Sequence, residues 1–185
     1  NIQWDAFAPD VTQQQVINHM TEQPQENEAR QVLLESARLV RGHIKPITEA
    51  DVTAYDAIIL PGGFGAVSNL CDWASKGEAF SFNQDVAGFL DAAVRERKPM
   101  GFICIAPMMI PKIVNNARLT IGNDPGLAEQ IHSMGSTHVN CEASDVIIDT
   151  ENRIVSTPAN MVAKGMDEVY TGIHKLVKAL AQMVG

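Results

Sequence analysis

The chain has 185 residues, 45% of them hydrophobic and 19% charged, with a formal net charge of −8 and a pI near 5.0. A globular domain of this composition is long enough to bury a core without disulfide or metal staples. An acidic surface with no Lys/Arg cluster repels phosphate backbones and anionic lipid, so neither nucleic acid nor a membrane is expected as a partner.

The longest apolar run, Met100 to Pro111, falls well short of the roughly 20 residues that a membrane-spanning helix needs. No basic stretch followed by an apolar one opens the chain, so a secretory signal is not expected. Cys71, Cys104 and Cys141 are odd in number and irregular in spacing. That pattern fits reduced thiols better than a disulfide framework, and a cytosolic location is expected.

In chain order, residues 2–8 read as a strand closed by Pro9 and Asp10. Ala29, Val32, Leu33, Ala37 and Val40 recur three and four apart, which predicts a helix over 28–40 ended by Gly42. DAIILP, residues 56–61, is a short continuous apolar run of the kind a strand buried on both faces requires. It runs into a glycine-rich turn at Gly62, Gly63 and Gly65. A helix is predicted over 84–97, broken by Lys98 and Pro99, and then a second buried strand, MGFIC, over 100–104.

APMMIPKIV follows as a short helix with Pro107 in its first turn and Pro111 set to kink or shorten it. Further helices are predicted over 125–134 and about 163–184, and residues 145–157 alternate around Thr150, Glu151 and Asn152 as a hairpin would. Strands alternating with helices predict one α/β domain whose mostly parallel sheet is covered by helices on both faces.

Two pieces of this pattern carry chemistry. Cys104 ends a buried strand before a helix, at the carboxyl edge where open α/β sheets bind ligands. A thiol there faces the positive end of the next helix, and backbone N–H groups just beyond it can hold a developing oxyanion. Gly62 and Gly63 end another strand, where glycine lets backbone N–H groups come close to a ligand. Neither a dinucleotide fingerprint nor a phosphate loop is present, because the G-x-G-x-x-G spacing and the Gly-Lys-Ser/Thr sequence are both missing.

ILPGGFGA (59–66) followed by GFICIAPMM (101–109) resembles the DJ-1/PfpI superfamily of class I glutamine-amidotransferase-like proteins, and within it the ElbB/ES1 branch. FAPD (7–10), VINH (16–19), ARLVRG (37–42), RLTIG (118–122) and IVSTPA (154–159) extend the resemblance over nearly the whole chain.

The resemblance implies a flavodoxin-like three-layer sandwich with Cys104 as nucleophile and the N–H groups of Gly63 and Ile105 as oxyanion donors beside Gly62. It also implies a cofactor-free glyoxalase that converts glyoxal to glycolate, with a link to isoprenoid production. A homodimer is expected, with a small dicarbonyl as substrate. The superfamily supplies a glutamate after its first strand, and these residues begin at the family's second strand. A single domain over 1–185 is therefore expected to lack that first strand and helix, leaving a trench in the sheet.

Ile105 stands where many PfpI-type members carry His, which argues against a peptidase. His138 is the remaining base candidate; His138 and Cys141 find no further ligands for a metal in the sequence. An oxidisable, non-catalytic Cys104 is the competing reading. A glutaminase triad would need a late His-x-Glu pair, and no histidine here is followed at the second position by Glu.

Overall fold

The computed structural model describes residues 2–184. Strand β1 (Ala6–Ala8) is followed by a short hairpin, β2 (Ile17–Asn18) with β3 (Gln23–Pro24), and then by helix α1 (Val32–Leu39). Next come β4 (Ile44–Pro46), β5 (Ile58–Leu60), α2 (Phe64–Asn69), α3 (Trp73–Lys76) and α4 (Gln84–Arg95). After β6 (Met100–Ile103) the chain makes a 3₁₀ segment, Ala106–Lys112, and continues through β7 (Arg118–Leu119), α5 (Pro125–Ser133) and β8 (Thr137–His138). The antiparallel β9 (Ile147–Asp149) and β10 (Ile154–Thr157) precede the final helix, α6 (Met166–Val184).

The expected α/β architecture is present, with its sheet in parts. The main sheet runs β5-β6-β10-β9, with β5, β6 and β10 parallel and β9 antiparallel at one edge. β1 pairs in parallel with β4 in a sheet of its own. Side-chain and loop contacts join the two sheets. The Tyr55 hydroxyl donates to the Asp5 carboxylate at 2.9 Å, its ring meets Phe7 edge-on at 5.7 Å, and the Gln14 N–H donates to Asn69 Oδ1. Among the described residues no strand pairs with the outer edge of β5, and Ile59 on that strand is 40% exposed.

The core explains why the elements stop where they do. Asn83 caps α4 by accepting from the N–H groups of Asp85 and Val86, and Val86, Leu90 and Ala93 fall on its buried face. The predicted helix over 28–40 starts only at Val32. Before it, Gln31 bridges Thr12 and the Arg30 carbonyl accepts from Gln13, so this stretch is extended.

APMMIPK is a 3₁₀ segment and not an α-helix, since Pro111 has no N–H to donate at its sixth position. Residues 106–111 are nonetheless buried throughout, with Met108, Met109 and Ile110 fully enclosed beside Phe102 and Phe80. No described helix is long and apolar enough to cross a membrane.

Helix α6 covers one face of the sheet through Leu176, Ala179 and Leu180. Its approach is closest at Gly172, where an added Cβ would run into the Ala143 carbonyl and stand 2.7 Å from the Thr157 hydroxyl. A helix cannot shift away there without unseating Leu176 from Val155. Gly172→Ala should therefore lower stability by about 1–3 kcal/mol, the usual cost of overpacking a dense interior. A denaturant midpoint equal to that of the unsubstituted chain would show that α6 is not held this tightly.

Candidate functional site

β6 is the middle strand of the parallel part of the sheet, flanked by β5 and β10. The predicted strand over 100–104 ends at Ile103, and Cys104 turns into the left-handed region at φ +62°. For a residue with a side chain that conformation costs about 1–2 kcal/mol. It is held by the Cys104 N–H, which donates to the Thr157 carbonyl at 2.9 Å. Ile105 returns to right-handed geometry and leads into the buried 3₁₀ segment. The thiol thus stands on a strand-to-helix elbow, partly exposed.

The glycine turn lies directly against this elbow. An added Cβ on Gly62 would stand 2.6 Å from Cys104 Cβ and 2.5 Å from the Ile103 carbonyl oxygen, so only glycine fits. Gly63 follows at φ +96° and opens α2. The N–H groups of Gly63 and Ile105 donate to no backbone acceptor among the described residues. Cys104, Gly62, Gly63 and Ile105 are brought together, as their positions at neighbouring strand ends predict.

His138 lies elsewhere. Its Nε2 accepts from the Ile121 N–H at 3.4 Å, and it lines a cleft of about 660 Å³ with His132, Glu129, Asn123 and Asn140. No hydrogen bond among the described residues joins it to Cys104. Burial holds its pKa below the ordinary 6.5, with the neighbouring His132 adding to the effect.

The unfolded chain therefore binds this proton more readily than the folded one. The contribution to stability is complete above pH 6.5 and is lost as pH falls through the depressed folded value. His138→Gln, which keeps an acceptor for Ile121, should flatten the stability curve in the window just below pH 6.5. An unchanged slope in urea titrations across that window would remove His138 as its source.

The other two thiols differ from Cys104 in their surroundings. Burial pushes both Cys71 and Cys141 up to about 11, and each donates to a backbone carbonyl, of Val67 and Glu142 respectively. Neither is appreciably ionised near pH 7. Iodoacetamide at pH 7.5 should accordingly give one early adduct, at Cys104; peptide mass spectrometry showing Cys141 labelled first would contradict the assignment. Among the described residues no three of His, Cys, Asp and Glu converge as metal ligands.

One partner of the elbow escapes a reading of the sequence. Thr157 and Ala159 lie in IVSTPA, which signals only resemblance, yet Thr157 anchors the Cys104 amide and Ala159 is itself left-handed at φ +44°. Strained residues thus end two adjacent strands, and nothing in their side chains announces it.

No protein-family model matches the chain. The human mitochondrial glutamine amidotransferase-like class 1 domain-containing protein 3 is 36% identical over 97% of this chain and 70% of its own length. The mitochondrial ES1 protein homolog of Rattus norvegicus is 35% identical over 97% of this chain and 71% of its own. The crystal structure of an isoprenoid biosynthesis protein with amidotransferase-like domain from Ehrlichia chaffeensis superposes with a TM-score of 0.88. It is 29% identical and covers 98% of this chain and 83% of that one.

These relatives overturn the cytosolic expectation, since the curated ones are named mitochondrial. Unpaired cysteines report a reducing environment, and more than one compartment provides it.

Proposed function

Because the chain belongs to the ES1 group of glutamine amidotransferase-like class 1 proteins, we propose that it is a cofactor-independent glyoxalase of the ElbB type, converting glyoxal-type dicarbonyls to hydroxy acids through Cys104. The observation that carries this reading is the left-handed Cys104 elbow with Gly62 pressed against it.

The chemistry follows from those groups. The thiolate sulfur adds to an aldehyde carbon, and the carbonyl electron pair moves to oxygen, where the N–H groups of Gly63 and Ile105 receive the charge. A proton then passes from the sulfur-bearing carbon to its neighbour, so that the first is oxidised to a thioester and the second reduced to an alcohol. Water cleaves the thioester, frees the thiol and releases glycolate. Glyoxal and water together make glycolate, so no external oxidant or reductant enters.

The proton shift needs a base. The resemblance assigns it to a glutamate without a counterpart among these residues. Burial favours the neutral form of His138, the form a base requires, but its Nε2 is engaged by Ile121 and its cleft does not include Cys104. Glutaminase chemistry is not proposed despite the family's name, because no histidine is followed by the x-Glu that its triad needs. A role in isoprenoid production is proposed on the likeness to the Ehrlichia chaffeensis protein alone.

Cys104→Ser tests the reading. The swap is nearly isosteric, so the unfolding midpoint should stay close to that of the unsubstituted chain. Turnover of glyoxal to glycolate, without added thiol or metal, should fall about a hundredfold or more because serine is un-ionised and has no paired base. A serine variant that keeps a sizeable share of the rate would overturn the assignment. Modification of Cys104 that stops at one event per chain would instead favour an oxidisable, non-catalytic cysteine.

A further inference from the structure

Thr157 is fully buried, yet it carries a hydroxyl, and it stands where the sheet runs out of partners. The ladder between β10 and β9 ends at Ser156, which pairs with Ile147. On the β6 side Thr157 still pairs with Ile103, and its carbonyl accepts from the Cys104 N–H at 2.9 Å. The next residue, Pro158, has no N–H, and Ala159 is left-handed at φ +44°. β10 is therefore leaving the sheet at the residue that holds the Cys104 amide.

The side chain supplies what the ladder does not. Thr157 Oγ1 donates to the Asp145 carbonyl at 2.8 Å, so the residue is tied on the β9 side through its hydroxyl. The acceptor is itself fixed. The Asp145 N–H donates to the Glu142 carbonyl at 3.0 Å, and the Asp145 carboxylate accepts from the Val146 N–H and pairs with Lys175 of α6 at 3.2 Å. Thr157 thus joins two turns, one carrying Asp145 and the other Cys104, with a hydrogen bond to each.

What this tie holds off can be read from β6. Side chains alternate between the two faces along a strand. Phe102 is fully buried in the main core, and Ile103 packs with the α6 cluster on the other face. Were residue 104 to take extended geometry, its side chain would turn to the side of Phe102, into the core. The left-handed turn at φ +62° leaves the thiol partly exposed instead. The Thr157 carbonyl opposes that relaxation only while Thr157 itself stays in place.

We propose that Thr157 is a positioning residue for the Cys104 nucleophile, and that its hydroxyl, not its bulk, does the positioning. This rests on Cys104 as the reacting group, but it makes a separate demand: reactivity must follow the hydroxyl.

Three variants separate hydroxyl from volume. Thr157→Val keeps the shape and loses the hydroxyl, Thr157→Ala loses hydroxyl and methyl together, and Thr157→Ser keeps the hydroxyl and loses the methyl. Two rates are read for each: alkylation of Cys104 by iodoacetamide at fixed pH, followed by peptide mass spectrometry, and kcat for glyoxal. Both should fall about tenfold or more in Thr157→Val and Thr157→Ala, and stay within about twofold in Thr157→Ser. A merely structural threonine gives a different order, because serine leaves a cavity and valine does not. Labelling of the buried Cys71, read in the same samples, should stay slow throughout. Rates that follow side-chain volume, or Cys71 labelled in step with Cys104, would overturn the proposal. If the unsubstituted chain turns over no glyoxal while alkylation still follows the hydroxyl, the glyoxalase reading fails and the role of Thr157 stands.

Discussion

Between the ends of β5 and β6 there is no room for a side chain. The Cα of Gly62 sits where any Cβ would overlap the Ile103 carbonyl and the Cβ of Cys104. That contact fixes the separation of two backbone turns, and the rest of the site follows. Gly63 follows directly on that contact, and α2 starts where it does because Gly63 takes a conformation that favours glycine. Opposite, the Thr157 carbonyl pulls the Cys104 amide towards β10 and keeps the cysteine left-handed. The thiol is thus held from both neighbouring strands, and the strain is borne by a sheet whose hydrogen bonds over-determine it.

The parts of this arrangement legible in the sequence are those in which residue type and position coincide. IIL and MGFI are apolar on both sides and sit in parallel strands; Gly62 and Gly63 end one of these and Cys104 the other. Helices α4 and α6 follow their apolar stripes, with Asn83 capping the first. Where the structure departs from these patterns, backbone partners decide the matter. Residues 28–31 have helical spacing but are taken up by Thr12 and Gln13 from a loop far away in sequence. APMMIPK has a helix former's composition, but Pro111 withholds a donor and leaves a 3₁₀ turn.

His138 illustrates a different limit. Its type and its strand-edge position are both ones that a catalytic base would share. Its surroundings come from pairing β8 with β7, which puts Leu119 opposite it and brings Ile121 and His132 to its ring. Those are contacts across 17 residues on one side and a helix on the other, and no local pattern encodes them. The Thr157 carbonyl is hidden for a similar reason: a backbone oxygen has no letter in the sequence.

The close seat of α6 carries a consequence for the thiol. Gly172 brings the helix against the Thr157 hydroxyl, and the carbonyl of that same threonine holds the Cys104 amide. A side chain at position 172 would therefore press on the residue that keeps the cysteine left-handed. The last helix of the chain thus bears on a turn in its middle, through a single residue of β10.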